Sequence, residues 1–230
     1  AQSLHMAQLL KTLEIMKSKN KDKIKFISYS EVRLPTGKMS SRTGENILYD
    51  NFKKEITNYA EGEIKKREPK LNKKGIEKRA LIISIAALKY SMLKQDPNKS
   101  IIFDKEEALN FDGNTGPYLL YTYARAKSIL RKAKYKNKKY QIKNMSQTEK
   151  ELIFELSQFP EVVGNAYKNL SPNIIANYAY QLSKKFNEFY HESKVIGSEE
   201  EQFGLELVNS FSTVLKTSLN LLGIEVLEKM

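Results

Sequence analysis

The chain has 230 residues, with 39 Lys and Arg against 27 Asp and Glu, a net charge of +12, and no cysteine. That length supports one large or two modest domains with a sizeable core, and the lack of cysteine excludes disulfides and thiolate metal sites and fits a reducing compartment. The best apolar run, Ala80 to Leu88 with Ser84 inside it, is far short of the roughly 20 residues that span a bilayer, so no membrane anchor and a cytoplasmic location are expected.

In chain order, Leu4, Leu9, Leu10, Leu13 and Met16 recur at helical spacing and predict a helix over 1–18. No signal-peptide pattern precedes it. The chain opens on Ala1 inside that periodicity, which is expected of a fragment. Lys17 to Lys25 reads as a basic turn, and the β-rich Ile24 to Arg33 reads as a strand.

The next stretch, Leu34-Pro35-Thr36-Gly37-Lys38-Met39-Ser40-Ser41-Arg42-Thr43-Gly44, is a basic, glycine-flanked, hydroxyl-rich loop suited to polyphosphate. Its backbone N–H groups and the Ser40 and Ser41 hydroxyls can donate to phosphate oxygens. Lys38 can place positive charge where negative charge develops on a departing pyrophosphate. Gly37 and Gly44 let such a loop swing over a nucleotide. A solvated surface turn is the competing reading of so short a pattern.

Asn46 to Tyr49 reads as extended, and Asp50 caps a helix to about Glu61. Glu63 to Gly75, charged and holding Pro69, reads as a linker or hairpin, followed by a helix over 76–93 and a turn at Asp96-Pro97-Asn98. From Phe111 to Ala133 a polar turn feeds a helix expected over 116–135, with Pro117 where a first helical residue belongs. At about 100° per residue, Tyr118, Tyr121, Arg125 and Ile129 share one face, while Lys127, Arg131 and Lys134 lie opposite. One reading is an aromatic face with a single cation backed by a polyanion-binding face. The other is a core face backed by a solvated one.

Tyr135 to Met145 is a basic loop, and further helices are predicted over 147–158, 160–169, 172–194 and 199–222. Ile175, Tyr178, Leu182, Phe186 and Phe189 mark one buried stripe. Leu207, Val208, Phe211, Val214, Leu215, Leu219 and Leu222 mark another, stopped by Gly223. His5 and His191 have no acidic or thiol neighbour at ligand spacing, so no metal site is expected. Charge is uneven: residues 61–140 hold 20 Lys and Arg against 9 Asp and Glu, and residues 141–230 hold 8 against 12. A basic block beside acidic helices points to a polyanionic partner at one surface.

The loop at 34–44 and the helix opening at 111–133, in that order, resemble the C-terminal half of the arginyl-tRNA synthetases, a class I aminoacyl-tRNA synthetase family. The first is similar to the KMSKS-type signature and the second to the phrase that opens the helical anticodon-binding domain. Ile85-Ala86-Ala87-Leu88-Lys89-Tyr90, Gln158 to Val163, Ala176 to Leu182, Phe186-Asn187-Glu188-Phe189-Tyr190 and Leu221 to Met230 extend the likeness over nearly the whole chain.

The resemblance implies a mainly α fold. Residues 1–62 would be the end of a class I nucleotide-binding α/β domain, and 63–230 an α-helical bundle that binds anticodons. It implies a parent enzyme that activates arginine with ATP and Mg2+ and transfers it to tRNA(Arg). Lys38, Ser40 and Ser41 are then catalytic, and Gly37, Lys38, Met39 and Ser40 hold ATP. Gln2 contacts arginine. Asn114, Tyr118, Tyr121, Arg125 and the last residues to Met230 meet the anticodon, with Lys127 and Arg131 on phosphates. Thr43 stands where many members carry lysine. The family's HIGH-type signature and arginine-binding carboxylates are not in this sequence, so the chain alone is expected to form no adenylate and to retain tRNA binding. A stand-alone RNA-binding paralogue and a helical interaction module with incidental charge are the alternatives.

Overall fold

The computed structural model describes residues 2–33, 35, 49–136, 140, 142 and 144–230. Gly37, Lys38, Met39, Ser40 and Ser41, and with them the predicted polyphosphate loop apart from Pro35, lie outside the described residues. Helix α1 (Gln2–Ile15) buries none of its side chains.

The strand expected over 24–33 is corrected. Only Val32–Arg33 (β1) pairs, in parallel, with Ile101–Ile102 (β2), in the register Val32 to Ile101. A strand needs a ladder partner, and this one has a two-residue partner, so 24–30 stays outside any ladder. The helix end expected at Glu61 and the linker from Glu63 are corrected too. Helix α2 (Tyr49–Arg67) runs unbroken past residue 62. Pairs Glu61–Lys65 and Glu63–Lys66, at 3.4 and 2.8 Å, stitch its last turns, and Ile64 is buried. It stops where Pro69 disfavours helix at the preceding residue.

After a short turn, α3 (Lys73–Leu93) starts on Asn72, whose side chain accepts from the Gly75 N–H at 2.8 Å, and packs back on α2. Beyond β2, the one-turn helix α4 (Lys105–Ala108), capped by Asp104, was not foreseen. Then come α5 (Gly116–Lys132), α6 (Gln147–Ser157), α7 (Phe159–Asn169), α8 (Asn173–Glu192) and α9 (Glu201–Leu221), each near its predicted span. α5 packs against α3, α8 and α9, and α8 against α6, α7 and α9.

The predicted stripes are core. Leu182, Phe186, Phe211 and Leu215 are fully buried, and the Phe186 and Phe211 rings stack at 3.8 Å. Tyr90 of α3 is also fully buried. Its hydroxyl has Asn114 Oδ1 at 2.5 Å and the Ala176 carbonyl at 3.0 Å, tying α3 to the turn before α5 and to α8. Burial pushes its phenol well above the usual range, so it stays neutral. Tyr90→Phe leaves both acceptors without that proton, and the expected loss is about 1–2 kcal/mol, seen as a fall in Tm of roughly 2–8 °C. An unchanged Tm would show that the hydroxyl contributes nothing.

Candidate nucleic-acid interface

Helix α5 begins in a tightly built turn. Thr115 caps it by accepting from the Tyr118 N–H, and its hydroxyl donates to the Asn110 carbonyl at 2.5 Å. Lys94 Nζ donates to the Asn114 carbonyl at 3.0 Å. With its side-chain oxygen facing Tyr90, Asn114 belongs to this scaffold and does not line the cleft described next.

One to two turns on, the exposed face of α5 forms the floor of an open cleft of about 640 Å³. Tyr121, Arg125, Ser128 and Ile129 come from α5, Tyr190 from the end of α8, Glu68 and Arg79 from the α2–α3 hairpin, and Glu228 to Met230 from the chain's last residues. Arg125 is its centre. Its guanidinium lies 4.8 Å from the Tyr121 ring centroid and 5.1 Å from that of Tyr190. It donates to Asn187 Oδ1 at 2.6 Å and to the Tyr121 hydroxyl at 3.2 Å. Two of five donors are so used, which leaves others for a ligand.

Asn187 in turn donates from Nδ2 to the Tyr118 hydroxyl at 2.8 Å, and the Tyr118 ring packs edge-on to Tyr180 at 5.7 Å. Tyr118 is half-buried and outside the cleft; it holds Asn187, which holds Arg125. Burial pushes the Tyr118 phenol up, while the Asn187 bond and the Arg125 charge pull it back. Tyr121, by contrast, is exposed at 41%.

Met230 reaches the cleft because α9 ends in a left-handed turn. Gly223 adopts φ +68°, the Ile224 N–H bonds the Leu219 carbonyl at 2.9 Å, and the Gly223 N–H bonds the Asn220 carbonyl at 2.9 Å. The chain then folds back, burying Ile224 and Leu227 in the core. An apolar recess of about 240 Å³ formed by Ile64, Ile83, Phe111, Tyr121 and Met230 adjoins the cleft.

The sequence-derived set therefore divides. Tyr121, Arg125, Arg131 and Met230 come together, with Arg131 and Lys132 exposed at the rim. Lys127 is half-buried and outside the cleft, so the basic face expected on α5 is split. Gln2 lies exposed at the start of α1. Sequence reasoning missed Tyr190, Asn187, Arg79, Glu68 and Lys132. Spacing carried a signal for Lys132, seven residues after Arg125, and for the pair Asn187 and Tyr190, three apart on α8. Arg79 and Glu68, joined at 2.6 Å, gave none. Phenol rings and guanidinium groups in an open cleft can stack on flat rings and hold anions. Among the described residues no three His, Cys, Asp or Glu side chains gather as a metal site, and no helix is long and apolar enough to cross a membrane.

Residues 119–230 match the DALR anticodon binding domain. The arginine–tRNA ligase of Flavobacterium psychrophilum is 40% identical over 89% of this chain, and that of Clostridium acetobutylicum is 38% identical over all of it. The chain spans 35% and 41% of those two relatives. Among solved structures, the Thermus thermophilus arginyl-tRNA synthetase superposes with a TM-score of 0.79 at 31% identity, over 89% of this chain and 35% of that one. The Plasmodium falciparum arginyl-tRNA synthetase gives 0.78 at 26% identity, over 97% of this chain and 40% of that one.

Proposed function

We propose that the cleft on α5 reads the anticodon of tRNA(Arg), because residues 119–230 match the DALR anticodon binding domain and the chain is similar along its length to arginyl-tRNA synthetases. The observation that carries the reading is Arg125 held between the rings of Tyr121 and Tyr190 in an open cleft. Loop bases of RNA are splayed out and recognised by stacking and by hydrogen bonds to their edges. Tyr121 offers the stacking face, Arg125 the edge donors, and Met230 part of the apolar wall. Arg131 and Lys132 at the rim meet phosphates. Asn114 and Tyr118 act through the groups they hold.

In the same reading, residues 1–62 close a class I catalytic domain and 63–230 form the anticodon-binding unit. The longer protein joins arginine to tRNA(Arg) in the cytoplasm, using ATP with Mg2+ on its phosphates. Gly37, Lys38, Met39, Ser40 and Ser41 hold those phosphates, Lys38 offsetting charge on the departing pyrophosphate, and Gln2 lies against arginine. That part rests on the sequence pattern alone.

The test is binding of an arginine-type anticodon stem-loop against one with the central anticodon base changed, each titrated with salt. The matched loop is expected to bind tighter, and the log of affinity to fall linearly with the log of salt. Arg131→Ala with Lys132→Ala should weaken both loops alike and flatten that slope by roughly 1.5 units, the release expected for two phosphates. Equal affinity for the two loops would reject the reading.

A further inference from the structure

Beside the cleft lies a charged patch that the anticodon reading does not use. Residues 65–79, the end of α2, its turn and the start of α3, hold eight Lys and Arg against two acidic residues. The segment adjoins the cleft through Glu68 and Arg79, which line both the cleft and the apolar recess with Tyr121 and Met230. Some of its cations are matched within the chain: Lys65 with Glu61, Lys66 with Glu63, Lys73 with Glu77 and Arg79 with Glu68. Lys70, Lys74 and Lys78 are exposed and, among the described residues, have no carboxylate partner. Their four-residue spacing puts Lys74 and Lys78 on one face of α3, with Lys70 on the approach to it.

The placement is also unfavourable for the free protein. The first turn of α3 holds no acidic residue, and Lys73 and Lys74 occupy its first two positions. That is the end where the helix dipole favours negative charge and opposes cations. Glu77 offsets Lys73 but nothing among the described residues offsets Lys74, and a local rule broken without compensation inside the fold marks a position kept for something outside it. A row of unpaired lysines against a positive helix end, beside a cleft for loop bases, is complementary to a sugar–phosphate backbone.

Resting on the anticodon reading of the cleft, we propose that Lys70, Lys74 and Lys78 form a second phosphate-binding wall, gripping the backbone of the RNA whose loop enters the cleft. The wall contributes affinity and salt dependence and carries no base preference, since phosphates are the same at every position.

The test uses the full chain, with Lys70, Lys74 and Lys78 changed together to Gln, and the matched and changed stem-loops described above. The expected result is a loss of roughly tenfold or more for both loops alike, with the log–log salt slope flattened by about 2–3 units. The preference for the matched loop is kept. Tm holds or rises, because an unfavourable charge at a helix start is removed. An unchanged slope with loop preference intact overturns the wall and leaves the cleft reading standing. Binding that ignores both the loop bases and Arg125→Ala overturns the cleft reading, and the wall with it.

Discussion

Arg125→Ala is expected to lower the affinity for the matched anticodon stem-loop by roughly 100-fold, the equivalent of about 2.8 kcal/mol. A charged hydrogen bond contributes about 1.5–3 kcal/mol, and a cation over an aromatic ring about 0.5–2 kcal/mol. The substitution removes both kinds at once. Arg125 bonds Asn187 and Tyr121 and lies over the rings of Tyr121 and Tyr190, so its loss also frees both tyrosines from their present alignment. The fold should survive, because Asn187 keeps its bond to Tyr118 and the site is open to water.

Arg125→Lys separates geometry from charge. A compact ammonium cannot span Asn187 and Tyr121 or stack as a plane. It is expected to restore salt dependence and not the preference for the matched loop. Full recovery of that preference by lysine would show that Arg125 supplies only charge. A loss equal for matched and changed loops would show that it positions the RNA without reading it. Circular dichroism of each variant guards against a melted domain.

How much of this was written in the sequence depends on the kind of signal. The long helices from α3 onward were legible because apolar residues recur at helical spacing, Pro117 falls in the first turn of α5 and Gly223 ends α9 in a left-handed turn. The strand over 24–33 was misread because β propensity reports fit to a pleated surface, and here the neighbour is only Ile101 and Ile102. The end of α2 was misread because a charge-rich stretch looks like a linker, although Ile64 and the i,i+3 and i,i+4 ion pairs hold it helical. In the cleft, Tyr121 and Arg125 were visible as one face of one helix. Their partners were not, because Tyr190 and Arg79 come from other elements, and which elements meet is decided by packing.

That packing depends on Gly116, and Gly116→Ala carries the largest stability loss expected of any single change considered. Gly116 is the first residue of α5 and is buried against α3. A Cβ there would collide with the Ala86 carbonyl oxygen and lie 2.6 Å from its carbon and 3.0 Å from the Ala87 nitrogen. Those are backbone atoms inside a helix and cannot turn aside like a flexible side chain. The opposing residues, Ala86 and Ala87, are themselves small and fully buried. Relief requires α5 and α3 to separate, forfeiting contacts along their whole interface, since dispersion falls steeply with a small gap. The expected cost is about 3 kcal/mol or more, read as a fall in Tm of roughly 6–12 °C. Gly164→Ala is the control, because nothing lies within 4 Å of its Cβ position and it sits inside α7. There the same methyl should stabilise by about 0.5–1 kcal/mol through helix propensity. The consequence extends to the cleft, because α3 carries Arg79 and α5 carries Tyr121 and Arg125. Gly116→Ala should therefore weaken stem-loop binding even below its Tm, whereas Gly164→Ala should not. Equal Tm values for Gly116→Ala and the parent chain would show that the two helices do not meet this closely, and would remove the physical reason for placing Arg79 beside Arg125.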